Sequence, residues 1–253
     1  MTENAPPIKD IRPLRNVKRL ALLIEEVRSR EFGQPGMAVF AGPAGFGKTS
    51  ASSWCAVEFQ AVSLTMDELW SKKTFCTKLA IELGLKPKGT IADIMDAVKY
   101  EIAVRDVPVL IDEADVLVRK NMIEMARALH DGTECPVILI GEEELGEKLQ
   151  KFERVHSRIL RHEFAEPGDL GDLNVMAELH LRGIAIEDDL KEAILKASAG
   201  SLRRMVNNLV TAKRIALKKG LDEVGLTAWG KTEFNTGRPP VPRYRRAPVG
   251  EAQ

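Results

Sequence analysis

Residues 37–50, which read MAVFAGPAGFGKTS, constrain the fold of this chain more than any other stretch. An apolar run at 37–40 leads into a segment that fits the pattern G-x-x-x-x-G-K-[ST]. Glycines let the backbone wrap closely around a phosphate with its N–H groups turned inward, and a helix that starts there adds its positive N-terminal end. The stretch therefore predicts a buried strand, a phosphate-binding loop and a helix in direct succession.

The predicted phosphate-binding residues follow one another without a gap. They are Gly42, Pro43, Ala44, Gly45, Phe46, Gly47, Lys48, Thr49 and Ser50. Lys48 is expected to reach the β- and γ-phosphates of a nucleotide, and the Thr49 hydroxyl is expected to ligate Mg²⁺. An ordinary glycine-rich turn is the alternative, but every position of the motif is present and a second motif follows downstream. The sequence thus predicts a nucleotide-binding protein.

The second motif is an apolar strand that ends in acids, VLIDEAD at 109–115. Ligands of open α/β sheets collect at the carboxyl ends of the strands, so these acids are expected beside the phosphate loop. Asp112 is predicted to hold Mg²⁺, largely through its water shell. Glu113 is predicted to orient and deprotonate the water that attacks the γ-phosphate. Acids also end strands as simple caps or turns, but the phosphate loop upstream favours the catalytic interpretation.

Apolar runs alternate with amphipathic helical patterns from residue 14 to residue 166. Strands are predicted at 37–40, 61–65, 108–111, 137–140 and 161–164. Helices are predicted between 14 and 33 and at 48–59, 68–83, 90–105, 119–130 and 142–152, and Thr90 and Asp93 are spaced like a capping box at the start of one of them. This alternation predicts an α/β fold, a parallel sheet covered by helices on both faces.

The alternation stops at Glu166-Pro167-Gly168, after which only helices are predicted, at 170–182, 187–197, 201–219 and 221–231. We therefore expect four parts. They are a flexible N-terminal arm at 1–13, a nucleotide-binding domain at 14–166, a small all-helical lid domain at 167–232 and a basic Pro/Arg-rich tail at 233–253.

Composition limits the class of protein and its partners. The chain has 37 Lys and Arg against 37 Asp and Glu, so a nucleic-acid partner would have to meet a local patch of positive charge. Cys55, Cys76 and Cys135 are widely spaced, which is typical of small buried residues in a reducing compartment. No apolar run approaches the roughly 20 residues of a spanning helix, and the first residues lack a signal-peptide layout. The sequence predicts a cytoplasmic protein with no membrane partner.

GPAGFGKT, VLIDEAD and the trailing helical region together resemble the AAA+ ATPases. The resemblance implies a P-loop AAA+ fold, ATP and Mg²⁺ as cofactors, and ATP hydrolysis. It also implies a homo-oligomer, a hexameric ring or a helical filament, in which ATP binds between neighbours. An arginine from the neighbouring subunit completes such a site. The matching positions here are Arg158, in a Ser-Arg pair before the last strand, and secondly Arg154. Each could instead pair with a surface acid.

Two further positions are compared with the family. Gly200-Ser201-Leu202-Arg203 resembles the start of the second-sensor helix, which implies that Arg203 faces the γ-phosphate within its own subunit, although a solvated helix charge is the alternative. The family carries Asn, Ser or Thr as its first sensor at the end of the fourth strand, where this chain has Ile140-Gly141-Glu142. A carboxylate is an awkward substitute beside phosphates. We therefore expect slow hydrolysis that suits a switch.

Within the family, the chain is most similar to the transposition ATPases, the MuB-like activators and the TniB, TnsC and IstB group. The similarity rests on the helix that precedes the phosphate loop, the compact chain and the lysine-bearing helix after the second strand. It implies a sequence-tolerant, ATP-dependent DNA-binding regulator of transposition, with double-stranded DNA and a transposase as partners. ATP would hold the subunits on DNA and hydrolysis would release them.

In such an oligomer two segments face the central channel. Lys72 and Lys73 lie on the helix after the second strand, and Arg119 and Lys120 lie at a predicted helix start beyond the acidic strand. We expect these cations to contact the DNA backbone. Charged pairs are as often a solvated helix face. The tail, with Arg238, Arg243, Tyr244, Arg245 and Arg246, is a further candidate for contacts with DNA or a transposase.

Two alternatives remain open from the sequence. The first is a helicase loader or replication initiator-like AAA+ ATPase, which would prefer single strands or bind a replicative helicase. The second is a nucleotide-switched scaffold NTPase that recruits proteins without binding DNA, and its ATPase rate would not respond to DNA.

Overall fold

The computed structural model describes residues 14–237, and the predictions for the arm at 1–13 and for the tail from Arg238 onward lie outside these residues. A parallel sheet of five strands forms the centre, in the order β2-β3-β4-β1-β5. The strands are β1 (Met37–Ala41), β2 (Val62–Thr65), β3 (Val109–Asp112), β4 (Val137–Gly141) and β5 (Ile159–Phe164). β1, β3 and β4 are buried along their whole length, because helices cover both faces of the sheet.

Eight helices accompany the sheet, and four more form the lid, within the described part of the chain. The first group is α1 (Arg15–Arg28), α2 (Lys48–Glu58), α3 (Lys72–Glu82), α4 (Ile91–Arg105), α5 (Asp115–Arg119), α6 (Glu124–Thr133), α7 (Leu145–Leu149) and α8 (Glu153–His156). The lid helices are α9 (Leu170–Leu181), α10 (Asp188–Ser198), α11 (Leu202–Lys219) and α12 (Leu226–Trp229). This arrangement confirms the predicted α/β P-loop fold followed by a helical lid. Among these residues every helix is too short or too polar to cross a bilayer.

Alternate residues of β1 supply two separate cores. Met37 and Val39 pack with the side chains of α3, α4 and α6, whereas Ala38 and Phe40 pack with α1, α2 and the lid. Successive side chains of a β-strand point to opposite faces of the sheet. The lid therefore shares one core with α1 and one face of the sheet, so it is packed onto the nucleotide-binding domain.

Several predicted helices differ from the observed ones. The predicted helix at 119–130 is two helices, because α5 ends at Arg119 and the chain turns through Asn121 (φ 53°) before α6. The predicted helix at 142–152 shrinks to α7. The helix predicted to start at 68 starts at Lys72, where Ser71 caps it by accepting a hydrogen bond from the Thr74 N–H (3.2 Å). Arg119 therefore ends a helix, and the prediction that it starts one is wrong.

The lid holds one feature beyond its helices, a pair of two-residue parallel strands, β6 (Ala185–Ile186) and β7 (Glu223–Val224). β7 lies in the segment predicted as a helix at 221–231, of which only α12 is helical. Buried Trp229 at the end of α12 stacks on Phe234 with ring centroids 4.5 Å apart. These tertiary contacts outweigh the weak helical pattern of a short segment. The predicted capping box of Thr90 and Asp93 is present at the start of α4.

Candidate nucleotide-binding site

The phosphate loop connects β1 to α2, as the sequence predicts. Gly45 (φ 85°) and Gly47 (φ 83°) adopt the left-handed conformation that favours glycine, and a Cβ on Gly45 would lie 2.5 Å from the Ser201 Oγ. The Lys48 Nζ donates hydrogen bonds to the main-chain oxygens of Gly42 (2.6 Å) and Pro43 (2.9 Å). The ammonium is therefore turned into the loop, where it can meet phosphate oxygens.

A cleft of ≈ 670 Å³ lies between this loop, the ends of β3 and β4, and the lid. Its volume falls within the range of small-molecule sites, which is about 300–1,000 Å³. Polar lining residues include Lys48, Thr49, Ser50, Glu113, Glu142, Arg203 and Asn207. Apolar lining residues include Leu14, Val17, Trp54, Met176, Leu179 and Val206. The cleft has a charged end at the phosphate loop and an apolar part bordered by α1 and the lid, which suits a nucleotide.

Asp112 ends β3 next to the cleft and is 2% exposed. Its Oδ1 accepts a hydrogen bond from the Glu113 N–H (2.9 Å), while its Oδ2 is buried and has no partner among residues 14–237. A buried carboxylate oxygen without a partner is costly, and a bound cation would satisfy it. Magnesium usually takes one or two protein ligands and completes its shell with water and phosphates, so Thr49 and Asp112 fit the predicted Mg²⁺ site.

Glu113 lines the cleft in a left-handed conformation (φ 54°), which is uncommon for a residue with a side chain and concentrates at functional sites. Partial burial raises the pKa of Glu113, and the Asp112 carboxylate adds to the increase while Lys48 opposes it. Burial lowers the pKa of Lys48, and the carboxylates of Asp112 and Glu113 oppose that change. The two groups interact across the cleft, as a phosphate-binding cation and a general base would.

Arg203 lies where the second-sensor resemblance implies, on the first turn of α11 and on the wall of the cleft. Its N–H donates to the main-chain oxygen of Gly45 (3.3 Å), and the Ser201 Oγ donates to the same oxygen (3.5 Å). The start of α11 therefore rests directly on the phosphate loop. Its contact with a γ-phosphate stays a prediction.

The two arginines predicted to act on a neighbour lie away from the cleft of their own subunit. The main-chain oxygen of Arg158 accepts a hydrogen bond from the N–H of Met37, the first residue of β1. The phosphate loop follows Ala41, the last residue of the same strand. The length of β1, roughly 16 Å, therefore separates this edge of the sheet from the loop. The Arg158 Nε bonds Asp131 Oδ1 (3.0 Å), and exposed Arg154 pairs with no acid in the described chain. Neither arginine lines the cleft of its own subunit, and a role toward another subunit stays a prediction.

At the position compared with the first sensor, Gly141 leaves no room for a side chain. A Cβ on Gly141 would overlap the carboxylate of Asp115, which is 1% exposed. This carboxylate accepts hydrogen bonds from the Glu142 N–H (2.7 Å) and from the Lys148 Nζ (3.2 Å). Glu142 itself points to the cleft and lies 3.6 Å from the Lys148 ammonium. Asp115 and Lys148 were not predicted as site residues, and the acidic end of VLIDEAD was the signal that could have drawn attention to Asp115.

We expect the substitution Gly141→Ala to lower the free energy of unfolding by about 1–3 kcal/mol, because its Cβ would displace the buried Asp115 carboxylate and the Leu145 side chain. Chemical denaturation measures the change. Gly132→Ala is the matched control, since the nearest atoms there belong to the flexible side chain of Lys99. Equal denaturation midpoints for the two variants would contradict the steric conflict that we expect at Gly141.

The four predicted DNA-contacting cations fall into two groups. Lys72 and Lys73 are exposed in the first turn of α3 and have no acidic partner within residues 14–237. Arg119 forms an ion pair with Glu68, and the Lys120 Nζ donates to the main-chain oxygen of Glu68 (2.6 Å). The segment after β2 and the end of α5 are therefore joined, as expected for segments that share one surface, but the charge of Arg119 is already paired.

Comparison with known proteins agrees with this geometry. The AAA domain family matches residues 30–149. No curated protein matches the chain. The fold is similar to that of Orc1 from Aeropyrum pernix, solved in complex with DNA, with a TM-score of 0.63 and 16% identity over 86% of this chain and 64% of that one. It is also similar to Cdc6p from Pyrobaculum aerophilum, with a TM-score of 0.59 and 13% identity over 88% and 65%.

A third similar structure is the RuvB Holliday junction branch migration motor of Thermotoga maritima, with a TM-score of 0.55 and 20% identity over 84% of this chain and 66% of that one. The chain thus spans 64–66% of the length of these three proteins. At such identities the likeness establishes the fold. Residues 30–149 match the AAA domain family, and the described residues 14–237 have a P-loop AAA fold followed by a helical region.

Proposed function

We propose that this protein is an ATP-hydrolysing AAA+ oligomer that binds DNA in an ATP-dependent manner. The observation that carries the proposal is the composition of the cleft, where Lys48, Thr49, Glu113 and Arg203 meet beside the unpartnered Asp112 oxygen. A loop that cradles phosphates, a carboxylate for Mg²⁺ and a general base are the parts that phosphoryl transfer to water requires.

Each of these residues has a separate task in the proposed reaction. Glu113 takes a proton from a water molecule while the oxygen of that water bonds to the γ-phosphorus. The bond between that phosphorus and the bridging oxygen, which leaves with ADP, breaks. Lys48 and Arg203 stabilise the negative charge of the transferring group. Thr49 and Asp112 would hold Mg²⁺, which supplies charge neutralisation at the β- and γ-phosphates. The products are ADP and phosphate.

The site of a single subunit lacks one cation, because Arg158 is at the far edge of the sheet. We infer that ATP binds between subunits and that Arg158 of one copy completes the cleft of the next, with Arg154 as the second candidate. A ring or a filament would satisfy this requirement, since both repeat the same head-to-tail contact.

The DNA-binding part of the proposal is supported by the exposed lysines of α3 and by the likeness to an Orc1 solved with DNA and to the RuvB branch migration motor. The finer proposal follows the family resemblance: a regulator of transposition that captures duplex DNA for a transposase. The buried, unpaired cysteines of the described chain are consistent with the proposed cytoplasmic location.

We expect the double substitution Lys72→Glu with Lys73→Glu to weaken duplex binding about tenfold or more and to make the slope of log K against log salt shallower by about 1 for each phosphate that is no longer neutralised. Fluorescence anisotropy with duplexes at several salt concentrations, with and without a non-hydrolysable ATP analogue, measures both effects. Lys86→Glu with Lys88→Glu is the matched control, because it changes the net charge equally in the loop beyond the opposite end of α3, where both lysines are exposed. Equally weakened binding in the two variants would refute DNA binding at this surface, and duplex affinity that ATP does not raise would refute the proposed dependence on ATP.

A second candidate function is the helicase loader or initiator-like ATPase, which the likeness to Orc1 and Cdc6p favours. The same binding assay with single strands distinguishes it, because a loader should prefer single strands and bind a replicative helicase. A nucleotide-switched scaffold would show an ATPase rate that DNA does not change.

A further inference from the structure

One buried amide ties together segments that lie far apart in the sequence. Asn16, in the first turn of α1, is 2% exposed. Its Nδ2 donates hydrogen bonds to the main-chain oxygens of Phe46 in the phosphate loop (2.8 Å) and of Glu166 (2.8 Å). Its Oδ1 accepts a hydrogen bond from the Glu166 N–H (2.9 Å). Both donor hydrogens and the acceptor oxygen of the side chain are in use.

The lid reaches the same loop from the other side. The main-chain oxygen of Gly45 accepts hydrogen bonds from Ser201 and Arg203 at the start of α11, as described above. Gly200, just before this start, accepts a hydrogen bond at its main-chain oxygen from the Gly168 N–H (2.9 Å). Residues 165–169 are the linker between β5 and α9. The phosphate loop, the start of α11, the linker and Asn16 thus form a closed ring of contacts.

Exposed ion pairs also join α1 to the linker, but they are poor candidates for a specific link. Arg15 and Arg19 pair with the Glu166 carboxylate (3.0 and 2.5 Å), which is 40% exposed. Water screens such pairs, and they contribute little free energy. Loss of the Asn16 amide would instead leave the carbonyls of Phe46 and Glu166 and the Glu166 N–H without this partner at a largely buried position, which costs more.

We propose that Asn16 is a positioning residue that holds the phosphate loop and the linker in one arrangement, so that nucleotide in the loop sets the orientation of the lid. The Lys48 ammonium bonds the main-chain oxygens of Gly42 and Pro43. When it turns to a phosphate, it leaves those oxygens and the loop adjusts. Asn16 transmits the adjustment to the linker and hence to α9. The link to nucleotide rests on the proposed function, whereas the clamp itself does not.

Hydrogen–deuterium exchange on the full chain, with and without ADP, tests the proposal. Without nucleotide, Asn16→Ala should raise exchange about tenfold in both the phosphate loop and the linker, and leave α10 unchanged. With ADP, the wild-type loop, linker and start of α11 should all become protected. In Asn16→Ala, ADP should still protect the loop and the start of α11, which is bonded directly to Gly45, but should no longer protect the linker at Glu166, because that link runs through Asn16. A merely structural amide would not separate these two responses.

Asn208 offers a matched control. It is also a buried amide, 1% exposed, and its Oδ1 accepts a hydrogen bond from the N–H of Asn235 (2.7 Å), which follows the lid helices. Asn208→Ala should raise exchange near residue 235 and leave the phosphate loop at the wild-type rate. If Asn16→Ala does not fold, Asn16→Leu takes its place, since leucine is similar in size to asparagine but can neither donate nor accept a hydrogen bond.

The outcomes separate the two proposals. Wild-type exchange at the loop and linker of the Asn16 variants, or equal rises in the Asn208 variant, would overturn the clamp. Protection of the linker by ADP in the Asn16 variants would overturn its role in coupling. If ADP protects nothing in the wild type, the proposed nucleotide site and the proposed coupling are both wrong. The exchange measured without nucleotide still decides whether Asn16 clamps the loop.

Discussion

Glu113→Gln should lower the rate of ATP hydrolysis by about 10²–10⁴-fold, the range that a positioned general base contributes. Glutamine keeps the shape of the side chain but cannot take the proton of the attacking water. The affinity for ATP should remain near the wild-type value, because Lys48 and the phosphate loop are unchanged. Steady-state phosphate release and calorimetric titration with ATP measure the two quantities.

The variant should also prolong the ATP-bound state. If ATP holds subunits together on DNA, Glu113→Gln oligomers should dissociate from duplex DNA more slowly than wild-type oligomers. Glu142→Gln is the matched control, since Glu142 also lines the cleft and is more than half exposed. A wild-type rate in Glu113→Gln would show that Glu113 is not the base, and a comparable loss in Glu142→Gln would show that the loss is not specific to Glu113.

Arg158→Ala should lower hydrolysis by about 10³-fold, the lower end of what an arginine supplied in trans contributes. The fold should survive, because the ion pair of Arg158 with Asp131 is partly exposed and contributes little. The substitution removes the cation from the cleft of the neighbour and leaves the variant's own cleft intact. ATPase assays at concentrations where the protein is oligomeric measure the loss.

A mixing experiment separates action in trans from every other explanation. Subunits with Arg158→Ala keep Glu113, and subunits with Glu113→Gln keep Arg158. Random assembly of equal amounts pairs an intact cleft with an intact arginine at about one quarter of the contacts, so about that share of the wild-type rate should return. No recovery would exclude a trans role for Arg158. The same mixture made with Arg154→Ala tests the second candidate.

The local motifs of the site could be predicted from the sequence because their geometry is local. Short sequence patterns predict the left-handed Gly45 and Gly47, the helix that starts at Lys48 and the acids at the end of β3. These patterns are informative because few residue types can adopt the backbone conformations that they require. The parallel sheet follows from the alternation of buried strands with helices. The break at Asn121 and the short strands of the lid were missed because weak local preferences yielded there to packing.

Pairings between distant side chains could not be predicted. The sequence shows Arg119 as a free cation, whereas the fold brings Glu68 to it from the segment after β2. The sequence shows Gly141 as an odd replacement for a polar sensor, whereas the fold places the Asp115 carboxylate in the space that a side chain would fill. Nothing in the pattern around Asn16 distinguishes it from other polar residues of an amphipathic helix.

The sequence by itself determined the P-loop motif, its place between a strand and a helix of a parallel sheet, and which residues form that loop. Only the tertiary structure decided which charges are free, which are already paired, and which residues hold the loop against α1 and the lid. The physical reason is the separation along the sequence of the residues that each kind of interaction joins. Backbone conformation depends on a few neighbouring residues, whereas a hydrogen bond such as that between Asn16 and Glu166 joins residues that only folding brings together.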